Sequence, residues 1–168
     1  IATGSYSGAY AVGSVDGFLG CYLRAFSSAG VLLWSTVYQG AFFGQVYCDA
    51  NDRILAVGQG DTTFSVQAGI GTFTGAYYQP TQPNNENKDM CIAAFAPGGV
   101  REWATFFGGR MARTVTTDPA GNIIIVGNVE ASDLVVQAGT GAFTGAYAQP
   151  TSSGALEMCI LGFSPNGT

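Results

Sequence analysis

Short apolar runs alternate along this chain with clusters of Gly, Pro, Asn and Asp, and no run holds the 3.6-residue spacing of an amphipathic helix. Arg113-Thr114-Val115-Thr116-Thr117 is rich in β-branched residues and stops at Asp118-Pro119-Ala120-Gly121-Asn122, a composition that favours a tight turn. Ile123-Ile124-Ile125-Val126 follows, apolar on both faces, as suits a strand held between two layers. Residues 90–96 and 101–107, divided by Pro97-Gly98-Gly99 and closed by Gly108-Gly109, read as two more strands. The pattern predicts an all-β chain built of four-strand units.

The units repeat. Residues 20–58 set against 89–127, an offset of 69, match at 12 of 39 positions, among them Phe26 with Phe95, Trp34 with Trp103 and Asp49 with Asp118. Residues 66–81 and 136–151 are closer still, identical at 13 of 16. A third copy opens at Met158-Cys159-Ile160, matching Met90-Cys91-Ile92. A unit that cannot bury both of its faces alone must stack on neighbours, which is the logic of a propeller blade or a solenoid rung.

Three segments, Asp89-Met90-Cys91-Ile92-Ala93-Ala94-Phe95-Ala96-Pro97-Gly98-Gly99, Trp103-Ala104-Thr105-Phe106-Phe107-Gly108-Gly109 and Thr117-Asp118-Pro119-Ala120-Gly121-Asn122-Ile123-Ile124-Ile125-Val126-Gly127, resemble the bacterial SBBP repeat, the seven-bladed β-propeller repeat. Gly75-Ala76-Tyr77-Tyr78-Gln79 and Gly145-Ala146-Tyr147-Ala148-Gln149 resemble that family's PGAYQ-like segment, with Thr74 and Thr144 in place of the Pro. The resemblance implies β-propeller blades of four antiparallel strands, A to D from the axis outward. It divides the chain into a partial blade at 1–40 (B-C-D), a complete blade at 41–109 and a partial blade at 110–168 (A-B-C), about two and a half blades. The B–C connections become long insertions at 59–88 and 128–157, whereas the first unit spans the same step with Ser5 to Gly20. Ring closure takes about 4–8 blades. The resemblance therefore implies a part of a larger propeller, whose partners are further blades of a longer chain or neighbouring subunits. It also implies an extracellular or bacterial cell-surface location. Asp49-Ala50-Asn51-Asp52 departs from the pattern by lacking the turn glycine.

Composition narrows the chemistry. The 168 residues include no His, so imidazole metal sites, Ser-His-Asp triads and Cys-His pairs are excluded from this chain. Six basic against 11 acidic residues give a net charge of −5, which argues against nucleic acid as a partner. Only 10% of residues are charged while 47% are hydrophobic, unlike a disordered acidic tail. Polar residues interrupt the uncharged stretch 25–48 too often for a membrane span. The four Cys (21, 48, 91, 159) show no zinc-type spacing and read as buried thiols.

The repeated insertion carries the candidate binding residues. Phe73, Tyr77, Phe143 and Tyr147 offer stacking surfaces, and Gln67, Gln79, Gln137 and Gln149 offer hydrogen bonds, as a sugar site would need. The competing and favoured reading has the aromatics anchoring the loop between blades while Gly69, Gly71 and Gly75 permit its bends. No catalytic residue and no cofactor is expected. Calcium is the one ion considered, at Asp49, Asn51 and Asp52 or at Asp118 and Asn122, but two or three side-chain oxygens fall short of the six to eight it takes. Gly4-Ser5-Tyr6-Ser7-Gly8 places Tyr where a nucleophile elbow needs Ser. Asn166-Gly167-Thr168 reads as an Asn-Gly turn before it reads as a glycosylation triplet. The expected function is a non-catalytic interaction or adhesion scaffold, or a structural unit of an extracellular assembly. The alternatives are a lectin-like propeller binding surface glycans, and a propeller enzyme of lyase or glycosidase type whose catalytic residues lie outside this segment or converge on the axis, where Glu102, Glu130 and Asp133 are the carboxylates on offer.

Overall fold

A computed structural model describes residues 20–83, 88–130, 137–149 and 156–168, and the backbone of 10–14. Ten strands run through these residues: β1 (Tyr10–Ser14), β2 (Gly20–Phe26), β3 (Leu32–Gln39), β4 (Ala41–Cys48), β5 (Ile54–Gly60), β6 (Asp89–Phe95), β7 (Arg101–Phe106), β8 (Met111–Thr117), β9 (Ile123–Val129) and β10 (Glu157–Phe163). The helical residues among them form two single 3-10 turns, Gly71–Phe73 and Gly141–Phe143. All pairing is antiparallel, in three meanders of order β1-β2-β3, β4-β5-β6-β7 and β8-β9-β10. The chain is all-β, as its apolar pattern predicts.

Strand alternation explains how the sheets meet. Successive side chains of β5 and β6 point to opposite faces, yet every side chain of β6 is buried, so this strand is covered on both sides. Cys91, Ala93 and Phe95 join Leu23 and Tyr38 of the first sheet in one core. Met90, Ile92 and Ala94 join Val115, Ile125 and Phe163 of the third sheet in the other. The three sheets thus stack face to face, with the second between the first and third.

Each junction repeats one ring contact. Trp34 of β3 meets Phe95 of β6 edge-on at 5.7 Å, and Trp103 of β7 meets Phe163 of β10 edge-on at 5.8 Å. Tight turns at Ser27–Val31, Ala96–Val100 and Ser164–Thr168 share one hydrogen-bond pattern, each with a glycine at positive φ: Gly30, Gly99 and Gly167. The Asn166-Gly167 turn is the third of these. The second and third sheets approach closest where β8 lies against β4 and β5. On the β7 side their gap holds Phe73 and Ala76 of the insertion.

The opening of the chain differs from the expectation. Residues 1–3, where the blade resemblance places a strand, lie outside the described residues, as does the Gly4–Gly8 segment. β1 instead falls inside the expected Ser5–Gly20 connection and pairs with β2 from Tyr10↔Ala25 to Ser14↔Cys21. Only residues 15–19 then separate the two strands. Ala11 and Gly13 dilute the strand signature of this segment, and pairing with β2 overrides it.

Candidate functional site

The first insertion packs along the free edge of the second sheet. Gln67 donates its N–H to the Ala104 carbonyl (2.8 Å) and accepts from the Ala104 N–H (3.0 Å), so a short strand covers the edge of β7. Ile70 N–H donates to the Glu102 carbonyl at 2.9 Å, and the Glu102 carboxylate accepts from the Thr72 hydroxyl at 2.7 Å. The 3-10 turn then drops Phe73 onto Trp103, stacked at 5.4 Å, where Phe73 is completely buried. A side chain at Gly69 would strike the Phe73 carbonyl, with 1.9 Å between an added Cβ and the oxygen, so the bend requires glycine there.

Tyr77 closes the junction through its main chain. Its carbonyl accepts from the Trp103 indole N–H (2.8 Å), while its N–H donates to the Gly167 carbonyl of the third sheet (2.8 Å). The ring leans on Phe163 at 6.4 Å and stays 43% exposed. Burial raises the pKa of its phenol. Two residues on, Gln79 N–H donates to the Thr105 hydroxyl at 2.7 Å, and its side-chain amide donates to the Thr81 carbonyl. This insertion is a plug that fills the junction between two sheets.

The second insertion has the same local shape and other surroundings. Phe143 N–H donates to the Thr140 carbonyl at 2.9 Å, as Phe73 N–H does to Ile70, and the Thr144 hydroxyl donates to Gly141 as Thr74 does to Gly71. Phe143 is half-buried, its ring lying over Gly162. Tyr147 is 88% exposed and donates its hydroxyl to Gln149, and Gln137 and Gln149 are exposed. Around it stand Met158 and Ile160, about three-quarters exposed, at the positions where Met90 and Ile92 are buried. The structure therefore brings Gln67, Phe73, Tyr77 and Gln79 into one packed junction and leaves Gln137, Phe143, Tyr147 and Gln149 on an open face.

Among the described residues no plug fills the junction between the first and second sheets, and an open groove of about 430 Å³ lies there between β3 and the start of β7. Trp34, Thr36 and Tyr38 form one wall, and Ser65, Gly99 and Arg101 the other. Arg101 is fixed from several sides. It donates through Nε to Gln67 Oε1 (2.7 Å) and through Nη1 to the Tyr38 hydroxyl (2.6 Å) and the Ser65 carbonyl (3.0 Å), with its guanidinium 5.6 Å from the Tyr38 ring centre. Sequence reasoning missed this groove and the roles of Trp34 and Arg101. The usable signal was the length of the first connection beside a Trp equivalent to Trp103.

The remaining candidates have structural partners. Asp49 accepts from the N–H groups of Asn51 and Arg53 (2.9 Å each) and pairs through Oδ2 with Arg53 Nε at 2.5 Å, deep in the protein. Arg53 continues across the junction to the Pro165 carbonyl and lies 5.2 Å from the Phe73 ring centre. Asp118 makes the equivalent turn at the surface, where the Asn122 amide and main-chain donors lower its pKa. Glu102 holds Thr72, Glu130 pairs with Arg110 at 2.7 Å, and Asp133 lies outside the described residues. Cys21, Cys91 and Cys159 are buried free thiols whose pKa values burial raises, and Cys48 is half-buried. Among the described residues no helix is long and apolar enough to cross a membrane. No family model and no curated protein matches this chain.

Proposed function

We propose that these sheets are blades of a β-propeller of the SBBP-repeat kind, and that the protein is a non-catalytic interaction scaffold at the bacterial cell surface or outside the cell. The observation that carries this reading is the recurrent junction: the same Trp–Phe contact and the same glycine turn join the first sheet to the second and the second to the third. A junction that repeats turns successive sheets in the same sense, and closing the series into a ring is how blades cover their apolar faces. The open face of the third sheet, with Met158 and Ile160, is the surface another blade would cover, from the same polypeptide or from a neighbouring subunit. Stable blades with variable connections suit binding, since a rigid scaffold positions loops at little entropic cost.

Electron cryomicroscopy of the intact natural polypeptide tests the architecture. A closed ring of about four to eight sheets is expected; a straight stack of sheets contradicts it. Antibody staining of unbroken cells tests the location, with staining expected before lysis and staining only after lysis contradicting it.

A further inference from the structure

The two junctions between sheets are built alike, and among the described residues only one contains a plug. In the filled junction the plug satisfies four groups. The Trp103 indole N–H meets the Tyr77 carbonyl, the Gly167 carbonyl meets the Tyr77 N–H, the Thr105 hydroxyl meets Gln79 N–H, and the outer edge of Ala104 pairs with Gln67. The empty junction repeats all four positions as Trp34, Gly99, Thr36 and Ser35.

The geometry supports the equivalence. Ser35 stands opposite Arg24 in β2 as Ala104 stands opposite Ala93 in β6. Gly99 lies against the Trp34 indole, an added Cβ falling 2.8 Å from Nε1, and Gly167 lies against the six-membered ring of Trp103, an added Cβ falling 3.2 Å from Cζ3. β3 is the terminal strand of its sheet, and among the described residues neither the Trp34 indole N–H nor the Gly99 carbonyl has a hydrogen-bond partner. Their own unit supplies only residues 15–19 between β1 and β2, against residues 61–88 between β5 and β6.

We propose that the Trp34 groove is a socket for an extended peptide segment of a partner protein, bound as the first insertion is bound beside Trp103. One residue of that segment bridges Trp34 and Gly99 through its carbonyl and N–H, an aromatic residue four positions earlier stacks on the indole, and the chain before that aromatic residue adds to the edge of β3 as Gln67 adds to β7. The socket also has a preference of its own. Leu33, half-exposed, occupies the position of Glu102, whose carboxylate grips Thr72. The segment that fits therefore carries an apolar residue immediately before its aromatic one. The groove exists whether or not the sheets close a ring, so its failure and the failure of the propeller reading are separate results.

The test uses the 168-residue chain and a synthetic peptide of the sequence of residues 66–81 with Thr72→Leu. The chain has two Trp, hence two indole N–H resonances, assigned with the Trp34→Phe variant. Titration is expected to move the Trp34 resonance downfield in a saturable way while that of Trp103 stays in place. The unmodified peptide should bind about tenfold more weakly, and a peptide with Phe73→Ala at least as weakly as that. No movement of the Trp34 resonance overturns the proposal. So does movement by soluble oligosaccharides without movement by peptide, which would make the groove a sugar site, and so does equal binding of the Phe73→Ala peptide.

Discussion

The two insertions carry nearly the same sequence and fold into the same turn, yet one is core and the other is surface. Gly71 and Gly141 take φ of 56° and 54°, Gly75 and Gly145 take 82° and 79°, and the same hydrogen bonds close both turns. Local sequence therefore dictates the shape of the segment. What it does is set by the neighbouring sheet: Phe73 is sealed between Trp103 and Arg53, whereas Phe143 lies on Gly162 with nothing described above it. Burial, and the stability that comes with it, belongs to the junction and not to the loop.

The comparison breaks most sharply at the two phenylalanines. Phe73→Ala is expected to destabilise the chain by about 3–5 kcal/mol and Phe143→Ala by less than about 1 kcal/mol, read from urea unfolding midpoints. Equal losses would show that the two loops share one environment. The turns beneath them form a second contrast on a similar scale. Asp49→Ala leaves Arg53 charged and uncompensated in the interior, a loss of about 3–5 kcal/mol. Asp118→Ala removes a solvent-exposed turn acceptor, and thermal unfolding should register a much smaller change.

Two weaker effects sharpen the picture. Asp52 holds φ of 60° where the equivalent turn has Gly121 at 84°. Asp52→Gly relieves that left-handed strain and should raise stability by about 0.5 kcal/mol. The smallest effect concerns pH. Burial raises the pKa of the Tyr77 and Tyr38 phenols in the folded chain. The folded state then keeps protons that the unfolded chain releases, so their contribution is whole below the ordinary tyrosine value of about 10 and fades as pH climbs past it. Tyr77→Phe should flatten the alkaline fall in unfolding midpoint, and an unchanged slope would place Tyr77 outside the junction.

Much of the fold was legible because strand signals are local. The β-branched run at 113–117, the two-faced apolar run at 123–126 and the glycine turns mark their strands without reference to anything distant. The offset of 69 residues carries further, since Trp34 and Trp103 occupy equivalent places in successive sheets. β1 was not legible, because Ala11 and Gly13 form a strand only when β2 offers its edge. The groove at Trp34 was hidden for a related reason: Arg101, Gln67 and Tyr38 are brought together from three segments, and no spacing in the sequence announces that meeting. Asp52 marks the opposite case, in which the missing turn glycine was visible and the chain kept the left-handed bend regardless.

Site-resolved amide hydrogen exchange on the 168-residue chain tests most directly whether the junction, and not the loop, confers order. The amides of Gln67 and Tyr77, held by Ala104 and Gly167, should exchange orders of magnitude more slowly than those of their counterparts Gln137 and Tyr147. Matching protection in the two insertions would contradict the account, since equal order on a covered and an uncovered face leaves the neighbouring sheet with nothing to explain.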